Sequence, residues 1–368
     1  MRIAWDGRGL CGPRTGIGWY THHLLRAFEH IDEDWSGHIL LNETPPDRFT
    51  DRFTCHCFPF PRTVRLRFGW ENIILPGMLR KISPDIWHSP LSVVPPFGRF
   101  PKAVTVHDVA FLHFPEILPR AYRNYWIRHT RRACQQADRI LAVSESTRRD
   151  LTDFFPGCAS RIEVIPEAAD PFYNQPPSQM EREEVLSRHR LSSGFLLFVG
   201  TLEPRKNLRF LIEACNQLHE SWQDCPPLVI AGGKGWLQSD LMSKIGSNPA
   251  KIRLLGYLER KELRVLYHEA GMVLIPSLYE GFGLPAVEAM ACGAIVVASD
   301  ASSLPEVVGE GGVLLPIDDP ARWAGAIRTL LESPEQIKKL RQSAREQSQK
   351  FSWEKTARET FRVFREMV

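Results

Sequence analysis

Two glutamates, Glu280 and Glu288, are separated by seven residues in the segment SLYEGFGLPAVEAMACG. The first closes an apolar run, MVLIPS at 272–277, that reads as a strand, and opens a glycine loop, Gly281-Phe282-Gly283. Pro285 suits the first position of a helix, where a missing N–H costs nothing, and Gly293 suits its stop. These limits leave a helix of about eight residues and roughly 12 Å, with its free N–H groups aimed into the loop. Such a helix start attracts an anion, and the glycines let an anionic ligand come close to the backbone. Carboxylates pair with sugar hydroxyls and helix N-termini with phosphates. The pattern suits a sugar joined to a diphosphate.

Arg205 and Lys206 follow another apolar run, 195–199, at the start of the next expected helix. Two cations plus helix N–H groups could neutralise a diphosphate without a metal. Cations there oppose the helix dipole, which favours anions, and that misfit argues for function over a solvated helix start. His107-Asp108 follows the run at 102–106. A lone histidine is more often structural, but this pair sits at a strand's C-terminal end, where α/β sheets bind ligands. Gly16 and Gly18 fall in an expected loop, GPRTGIGWY, after the first strand. Their spacing imitates a dinucleotide fingerprint without its third glycine in register, which gives NAD little support. Asp32-Glu33-Asp34 forms a D-x-D past a helix end and reads as a solvated acidic turn; no other carboxylate cluster suggests a metal. Cys55-His56-Cys57 has no second pair at zinc spacing, so packing is the expectation for these thiols.

The elements that must position these residues alternate short apolar runs with amphipathic segments, the signature of βα repeats around parallel sheets. Strands are expected near 2–6, 38–41, 53–58, 85–88, 102–106, 139–143 and 162–165, with helices near 17–30, 70–81, 120–136 and 145–154. A second series has strands near 195–199, 228–231, 252–255, 272–275, 295–298 and 313–315, flanking helices near 207–220, 260–269, 285–292 and 321–332. The stretch 166–180, PEAADPFYNQPPSQM, is the expected linker. At 368 residues the chain exceeds one core and divides naturally in two. A hydrophobic content of 43% with 24% charged residues is that of a soluble globular protein, and a net charge of +3 is too small to argue for nucleic acid. Free thiols fit a reducing cytosol, MRIAWDG runs straight into a strand without a signal peptide, and no run of eighteen apolar residues spans a membrane.

The E-x7-E segment resembles that of the retaining glycosyltransferases of family 4 (glycosyl transferases group 1), which have the GT-B fold. The likeness extends to FVGTLEPRKNL at 198–208, LVIAGG at 228–233, LLGYL at 254–258 and the run from Pro276 to Val308 that ends SDASSLPEVV. In the first half, GIG at 16–18, VHD at 106–108 and AVSESTRRDL at 142–151 also match. The resemblance implies two Rossmann-like domains facing across a cleft: 1–172 for the acceptor and 173–351 for the nucleotide sugar. Residues 352–368 would then cross back as a helix onto the first domain. It implies that Glu280 approaches the donor sugar and that the backbone of Gly281, Phe282, Gly283 and Leu284 meets sugar hydroxyls and phosphate. Glu288 would hold the ribose, and the base would pack near Tyr257 and Leu258. His107 would touch the donor sugar near the reacting carbon, with Gly16 and Gly18 bordering acceptor and phosphate. Many relatives carry an arginine where this chain has Thr201, and Arg205 is expected to take over that role.

The reaction so implied is retaining, metal-independent hexosyl transfer from a nucleotide-diphospho-sugar, with no separate cofactor. Likeness to bacterial mannosyltransferases points to GDP-mannose as donor and a glycan or lipid-linked acceptor, in polysaccharide or glycolipid assembly. A UDP-sugar-dependent transferase, a nucleotide-sugar 2-epimerase and a catalytically silent sugar-nucleotide-binding subunit are the alternatives. Arg120, Arg123, Arg128, Arg131 and Arg132 crowd RAYRNYWIRHTRRA with Tyr122, Tyr125 and Trp126 interleaved. A second stretch, Arg62 to Lys81, mixes basic residues with Phe68, Trp70, Ile73, Ile74 and Leu75. Basic residues beside exposed aromatics suit an anionic leaflet, and a solvated face over a core suits them equally. The expected setting is the cytoplasm, peripheral on the inner face of the plasma membrane.

Overall fold

In the computed structural model, which describes residues 1–12, 14, 16–44, 48–59, 67, 69–222, 224–233, 235 and 252–368, the apolar runs pair into two wholly parallel sheets. The first contains β1 (Arg2–Asp6), β2 (Ser36–Leu41), β3 (Phe53–Cys57), β4 (Ile86–Ser89), β5 (Lys102–Val106), β6 (Arg139–Ala142) and β7 (Ile162–Val164). Their order among the described residues is β3-β2-β1-β4-β5-β6-β7. The second holds β8 (Leu196–Val199), β9 (Leu228–Ala231), β10 (Ile252–Gly256), β11 (Met272–Ile275), β12 (Val296–Ser299) and β13 (Gly312–Leu315), ordered β10-β9-β8-β11-β12-β13. Each order reverses beside the sheet's first strand, at β1/β4 and at β8/β11. Ligands of open α/β sheets bind outside the strand C-termini at such a switch point.

The helices are α1 (Gly16–Phe28), α2 (Leu75–Ile82), α3 (Ala110–His113), α4 (Arg120–Gln136), α5 (Glu145–Phe154), α6 (Gln179–His189) and α7 (Leu208–Ser221). They continue with α8 (Arg260–Glu269), α9 (Leu284–Ala291), α10 (Leu304–Val308), α11 (Pro320–Leu331), α12 (Pro334–Ser348) and α13 (Trp353–Met367). Helices on both faces explain why β9, β11 and β12 are buried throughout and read as unbroken apolar runs. On one face of the second sheet, Leu196, Phe198, Ile230, Leu274 and Val297 pack with Leu211 and Cys215 of α7 and Trp323 and Ile327 of α11.

The chain divides into two compact units, Met1–Glu167 with Ser352–Val368, and Ala168–Phe351. The expected boundary at 172 came from reading a proline-rich stretch as linker. In the structure a short turn at Pro171–Asn174 already belongs to the second unit: Tyr173 is buried against Tyr267, and the Arg264 guanidinium lies 4.0 Å from the Phe172 ring centroid. α6 follows within the same stretch, started by a capping box between Ser178 and Glu181. The helix expected over 70–81 is a wider-wound turn, Trp70–Ile74, leading into α2. Cys55 and Cys57, expected to pack, are exposed because β3 is the sheet's edge strand.

α13 packs on α1 in the first unit. Phe361 and Phe364 reach Phe28 at ring-centroid distances of 6.0 Å, and Phe364 also meets Trp5 and His88. Ser352 caps the helix, and Thr356 Oγ1 donates to the Pro166 carbonyl at 2.7 Å. No helix among the described residues is long and apolar enough to cross a membrane. Phe364→Ala is expected to cost about 3–5 kcal/mol of unfolding free energy, because it empties a site with no solvent exposure. Exposed Lys355→Ala on the same helix should stay within about 0.5 kcal/mol. Urea midpoints of the two variants check the assignment.

Candidate functional site

Loops after three neighbouring strands converge at the β8/β11 switch point. The loop after β11 runs through Pro276 and Ser277 to Glu280, whose residue keeps 5% of its exposure. Its carboxylate collects Lys206 Nζ at 2.5 Å, Arg205 Nη1 at 3.1 Å and Ser277 Oγ at 2.7 Å. Both cations come from the loop after β8, where Pro204–Lys206 makes a tight turn ahead of α7. A backbone bond from Leu278 N–H to the Arg205 carbonyl, 2.8 Å, ties the two loops together.

The third loop, after β12, holds the Glu280 main chain. Ser302 Oγ bonds the Glu280 carbonyl and takes its N–H at 3.2 Å, while Ser303 Oγ lies 3.0 and 2.8 Å from the carbonyls of Glu280 and Phe282. Gly283, at φ 104°, precedes α9, a backbone state open to glycine but strained for other residues. Behind the cations, a Cβ on Gly232 would sit 1.8 Å from the Gly200 carbonyl oxygen, so the loop after β9 can lie against the β8 loop only with glycine there.

Sequence reading leaves Arg205 and Lys206 ready for a diphosphate, whereas the structure gives both to carboxylates. Arg205 Nε bonds Glu203 at 2.8 Å in addition to its contact with Glu280. Two cations and two carboxylates make a neutral quartet. Burial works against the Glu280 charge, but Lys206 and then Arg205 outweigh it and hold the carboxyl down at about 2. Burial pulls the Lys206 ammonium below its usual value, opposed by Glu280. The carboxylate is the more firmly defined ion, since several donors converge on it.

Glu288 is not the solvated helix residue that its position alone would suggest. It is partly buried on α9 and accepts from Tyr267 Oη at 3.0 Å. Burial pushes its carboxyl up to about 7, against the hydrogen bond from Tyr267 and the charge of Arg260. Tyr267 packs on Tyr173, whose carbonyl takes the Cys292 thiol at 3.3 Å. Gly281 and Phe282 are buried, Phe282 edge-on to Phe351 at 5.4 Å, and Leu284 is partly buried. Thr201 and Tyr257 are exposed, Tyr257 at 76%, with Leu258 half-buried beside it.

In the first unit, His107 Nδ1 lies 2.6 Å from Glu167 and Nε2 lies 3.1 Å from the Pro90 carbonyl, with the ring edge-on to Tyr20. Both ring nitrogens therefore face acceptors. Gly16 and Gly18, expected in a loop, lie in the first turn of α1. A Cβ on Gly18 would come 2.5 Å from the Gly9 carbonyl, so the glycine lets the helix start against that turn. Asp32, Glu33 and Asp34 are exposed, with Glu33 paired to Arg365 at 3.0 Å, and no metal-holding cluster occurs among the described residues.

On α4, Trp126 packs into the core and Tyr125 bonds a buried carboxylate, leaving Tyr122 as the exposed aromatic of that stretch. Arg62, Arg65 and Phe68 lie outside the described residues. Ser277, Ser302, Ser303, Tyr267, Glu203 and Glu167 were not singled out from sequence. Glu203, Ser277, Ser302 and Ser303 carried a signal only as members of matched blocks, and Tyr267 and Glu167 carried none.

The two glutamates set opposite pH limits. Glu280, lowered from 4.5 to about 2, contributes stability present above about pH 4.5 and lost as pH falls through 2. Glu288, raised to about 7, contributes stability present below about pH 4.5 and lost as pH rises through 7. Glu280→Gln should destabilise the protein by about 3 kcal/mol at neutral pH, by taking the ion partner from buried Lys206, while Arg205 keeps Glu203. Glu288→Gln should remove the loss between about pH 4.5 and 7, whose slope is at most about 1.4 kcal/mol per pH unit. Chemical denaturation across about pH 3 to 9 checks both, and an unchanged slope between about pH 4.5 and 7 in Glu288→Gln would contradict the burial argument.

Two family models match the chain: Glycosyltransferase Family 4 over residues 14–171, and Glycosyl transferases group 1 over residues 181–347. The O-antigen chain mannosyltransferase B of Escherichia coli is 35% identical over 99% of this chain and 100% of its own length. Among solved structures, sucrose-phosphate synthase from Thermosynechococcus elongatus superposes with a TM-score of 0.80 at 19% identity, covering 100% of this chain and 98% of the other. WaaG, a glycosyltransferase involved in lipopolysaccharide biosynthesis, gives a TM-score of 0.73 at 14% identity and 99% coverage of both chains. These likenesses establish the GT-B fold. Together with the full-length relative and the two family matches, they show that the chain belongs to glycosyltransferase family 4 and is a glycosyltransferase.

Proposed function

We propose that this enzyme is a retaining, metal-independent hexosyltransferase that moves mannose from GDP-mannose to a glycan or lipid-linked acceptor. The setting would be bacterial polysaccharide or glycolipid assembly on the cytoplasmic face of the membrane. The observation that carries the reading is the convergence of Glu280, Lys206 and Arg205 at the switch point of the second sheet. The mannosyl part is supported by the name of the full-length Escherichia coli relative.

Heterolysis of the anomeric C–O bond puts negative charge on the departing diphosphate. Lys206 and Arg205, already held in place by Glu280, can stabilise that charge with little reorganisation, which is where electrostatic catalysis gains most. An arriving diphosphate, with two negative charges, turns the neutral quartet anionic, and a carboxylate that turns toward the sugar eases the repulsion. Glu280 is then free to take hydroxyls of the donor sugar, with the backbone of Gly281, Phe282, Gly283 and Leu284 beside it. Glu288 accepts from the ribose, and Tyr257 offers an exposed ring for the base, beside Leu258 and Thr201. The departing phosphate takes the acceptor's proton in a front-face attack, so proximity and electrostatics supply most of the acceleration. Peripheral contact with an anionic leaflet would use Arg120, Arg131 and Tyr122, all exposed on α4.

Glu280→Gln should lower transfer about a hundredfold at a temperature where the variant is folded, on the order of 3 kcal/mol of transition-state stabilisation. Chelation should leave activity in place; loss with EDTA and return with manganese would overturn the metal-free mechanism. Product analysis with GDP-mannose, with and without a glycan acceptor, decides the reaction class. Acceptor-dependent α-configured mannoside is the expected result. A 2-epimerised sugar, or binding without turnover, would contradict it. A thermal-shift series of GDP, UDP, ADP and TDP sugars reads the base, since a ligand of the folded state raises its stability.

A further inference from the structure

Glu203 belongs to the charged quartet at the β8/β11 switch point, yet a second carboxylate beside a departing diphosphate opposes the charge that the reaction develops. Its main chain is fixed: the N–H donates to the Thr201 carbonyl at 2.8 Å, and the Glu203 carbonyl accepts from Lys206 N–H at 3.1 Å. Pro204, whose ring fixes the backbone, separates Glu203 from Arg205 and begins the tight turn between them. Arg205 Nε donates to Glu203 Oε2 at 2.8 Å, while Nη1 lies 3.1 Å from both Glu280 Oε2 and the Tyr279 carbonyl. Among the described residues, Arg205 is the group that holds the Glu203 carboxylate.

The two carboxylates of the quartet are unequal. The Glu280 side chain keeps 6% of its exposure and that of Glu203 keeps 19%. Glu280 leaves the cations altogether only by breaking its bonds to Lys206, Arg205 and Ser277 in a buried setting, which is costly. Glu203 leaves by breaking one partly exposed pair, and such pairs contribute little net stability. An arriving diphosphate can therefore displace Glu203 from Arg205 while the loop stays in place. As the diphosphate departs, the same carboxylate is at hand to take the guanidinium back. Its charge also reaches the second cation: burial lowers the Lys206 ammonium, and Glu203 is among the charges that oppose this, after Glu280.

We propose that Glu203 is a positioning residue that acts through Arg205. It holds the guanidinium in place before the ligand arrives, yields it to the diphosphate, and competes for it again when the product leaves. The proposal rests on the reading of Arg205 and Lys206 as the diphosphate site. Its consequence is an affinity kept below what the two cations alone would give, so that nucleoside diphosphate departs after each transfer. Affinity set in this way shows mainly in the dissociation rate.

The test is calorimetric titration of the full chain with GDP, UDP and inorganic pyrophosphate, beside thermal midpoints. Glu203→Gln keeps an oxygen for Arg205 Nε and removes the charge. It should tighten whichever of these ligands binds wild type by about tenfold, and release of the bound ligand should slow by about the same factor. Glu203→Ala, which also lets the guanidinium wander, should gain less. In an Arg205→Gln background the gain from Glu203→Gln should shrink to about twofold, because the residue it acts through is gone. Unchanged or weaker binding in Glu203→Gln at a wild-type thermal midpoint overturns the proposal. So does parallel weakening in both Glu203 variants with lowered midpoints, which would make the residue structural. A tenfold gain that persists without Arg205 overturns it too, since the effect would then be a general field. If none of the three ligands binds wild type, this proposal and the transferase reading of the cations fall together. Ligand binding that ignores Glu203 leaves that reading standing and removes only this one.

Discussion

A carboxylate taken out of water at the end of β11 has to be answered by donors fixed in space, and much of the second unit's upper edge is arranged around that need. Lys206 and Arg205 supply charge from the β8 loop, and Ser277 supplies a hydroxyl from the same loop as Glu280. Ser302 and Ser303 grip the main chain from the β12 loop. Breaking one ion out of such a buried set costs far more than the set gains against an apolar replacement, so its presence argues for use rather than for stability. Neighbouring parallel strands deliver these parts because their C-terminal ends point the same way. The sheet's order makes Glu280 and the two cations neighbours although they lie far apart in sequence.

The same logic appears at the first sheet's switch point with different residues. There Asp6, Arg8 and Glu71 alternate in sign, so each charge is met by its neighbour before the chain reaches His129. In both units the central strands are plain apolar runs and the chemistry sits in the turns that follow them. Stability and function are thus divided between sheet interior and strand ends, as the open α/β architecture allows.

Much of the fold was legible because fully buried parallel strands need unbroken apolar runs, and amphipathic helices separate most of those runs, though β4 and β5 follow each other directly. The edge strand β3 betrayed that rule: its alternating thiols read as packed, yet an edge leaves them exposed. α6 and α12 were missed because their helical faces are mostly polar, with little apolar periodicity to detect. Glu280, Lys206 and Arg205 could be chosen from residue type and position, but not their mutual pairing, which depends on β8 and β11 being neighbours. Gly18 fell both in the loop GPRTGIGWY and in the helix expected near 17–30; the helix forms, and the nearby Gly9 carbonyl accounts for the glycine. The raised Glu288 carboxyl depends on Tyr267 and Tyr173, contacts that no local pattern announces.

The central claim is that the cations gathered by Glu280 serve a diphosphate. Calorimetric titration of wild type and Lys206→Ala with GDP and with guanosine tests it most directly. The account predicts that Lys206→Ala weakens GDP by about tenfold or more while guanosine binding is nearly unchanged, since a charged hydrogen bond to phosphate would be lost. Equal weakening of both ligands, or GDP binding as tight as wild type, would contradict it.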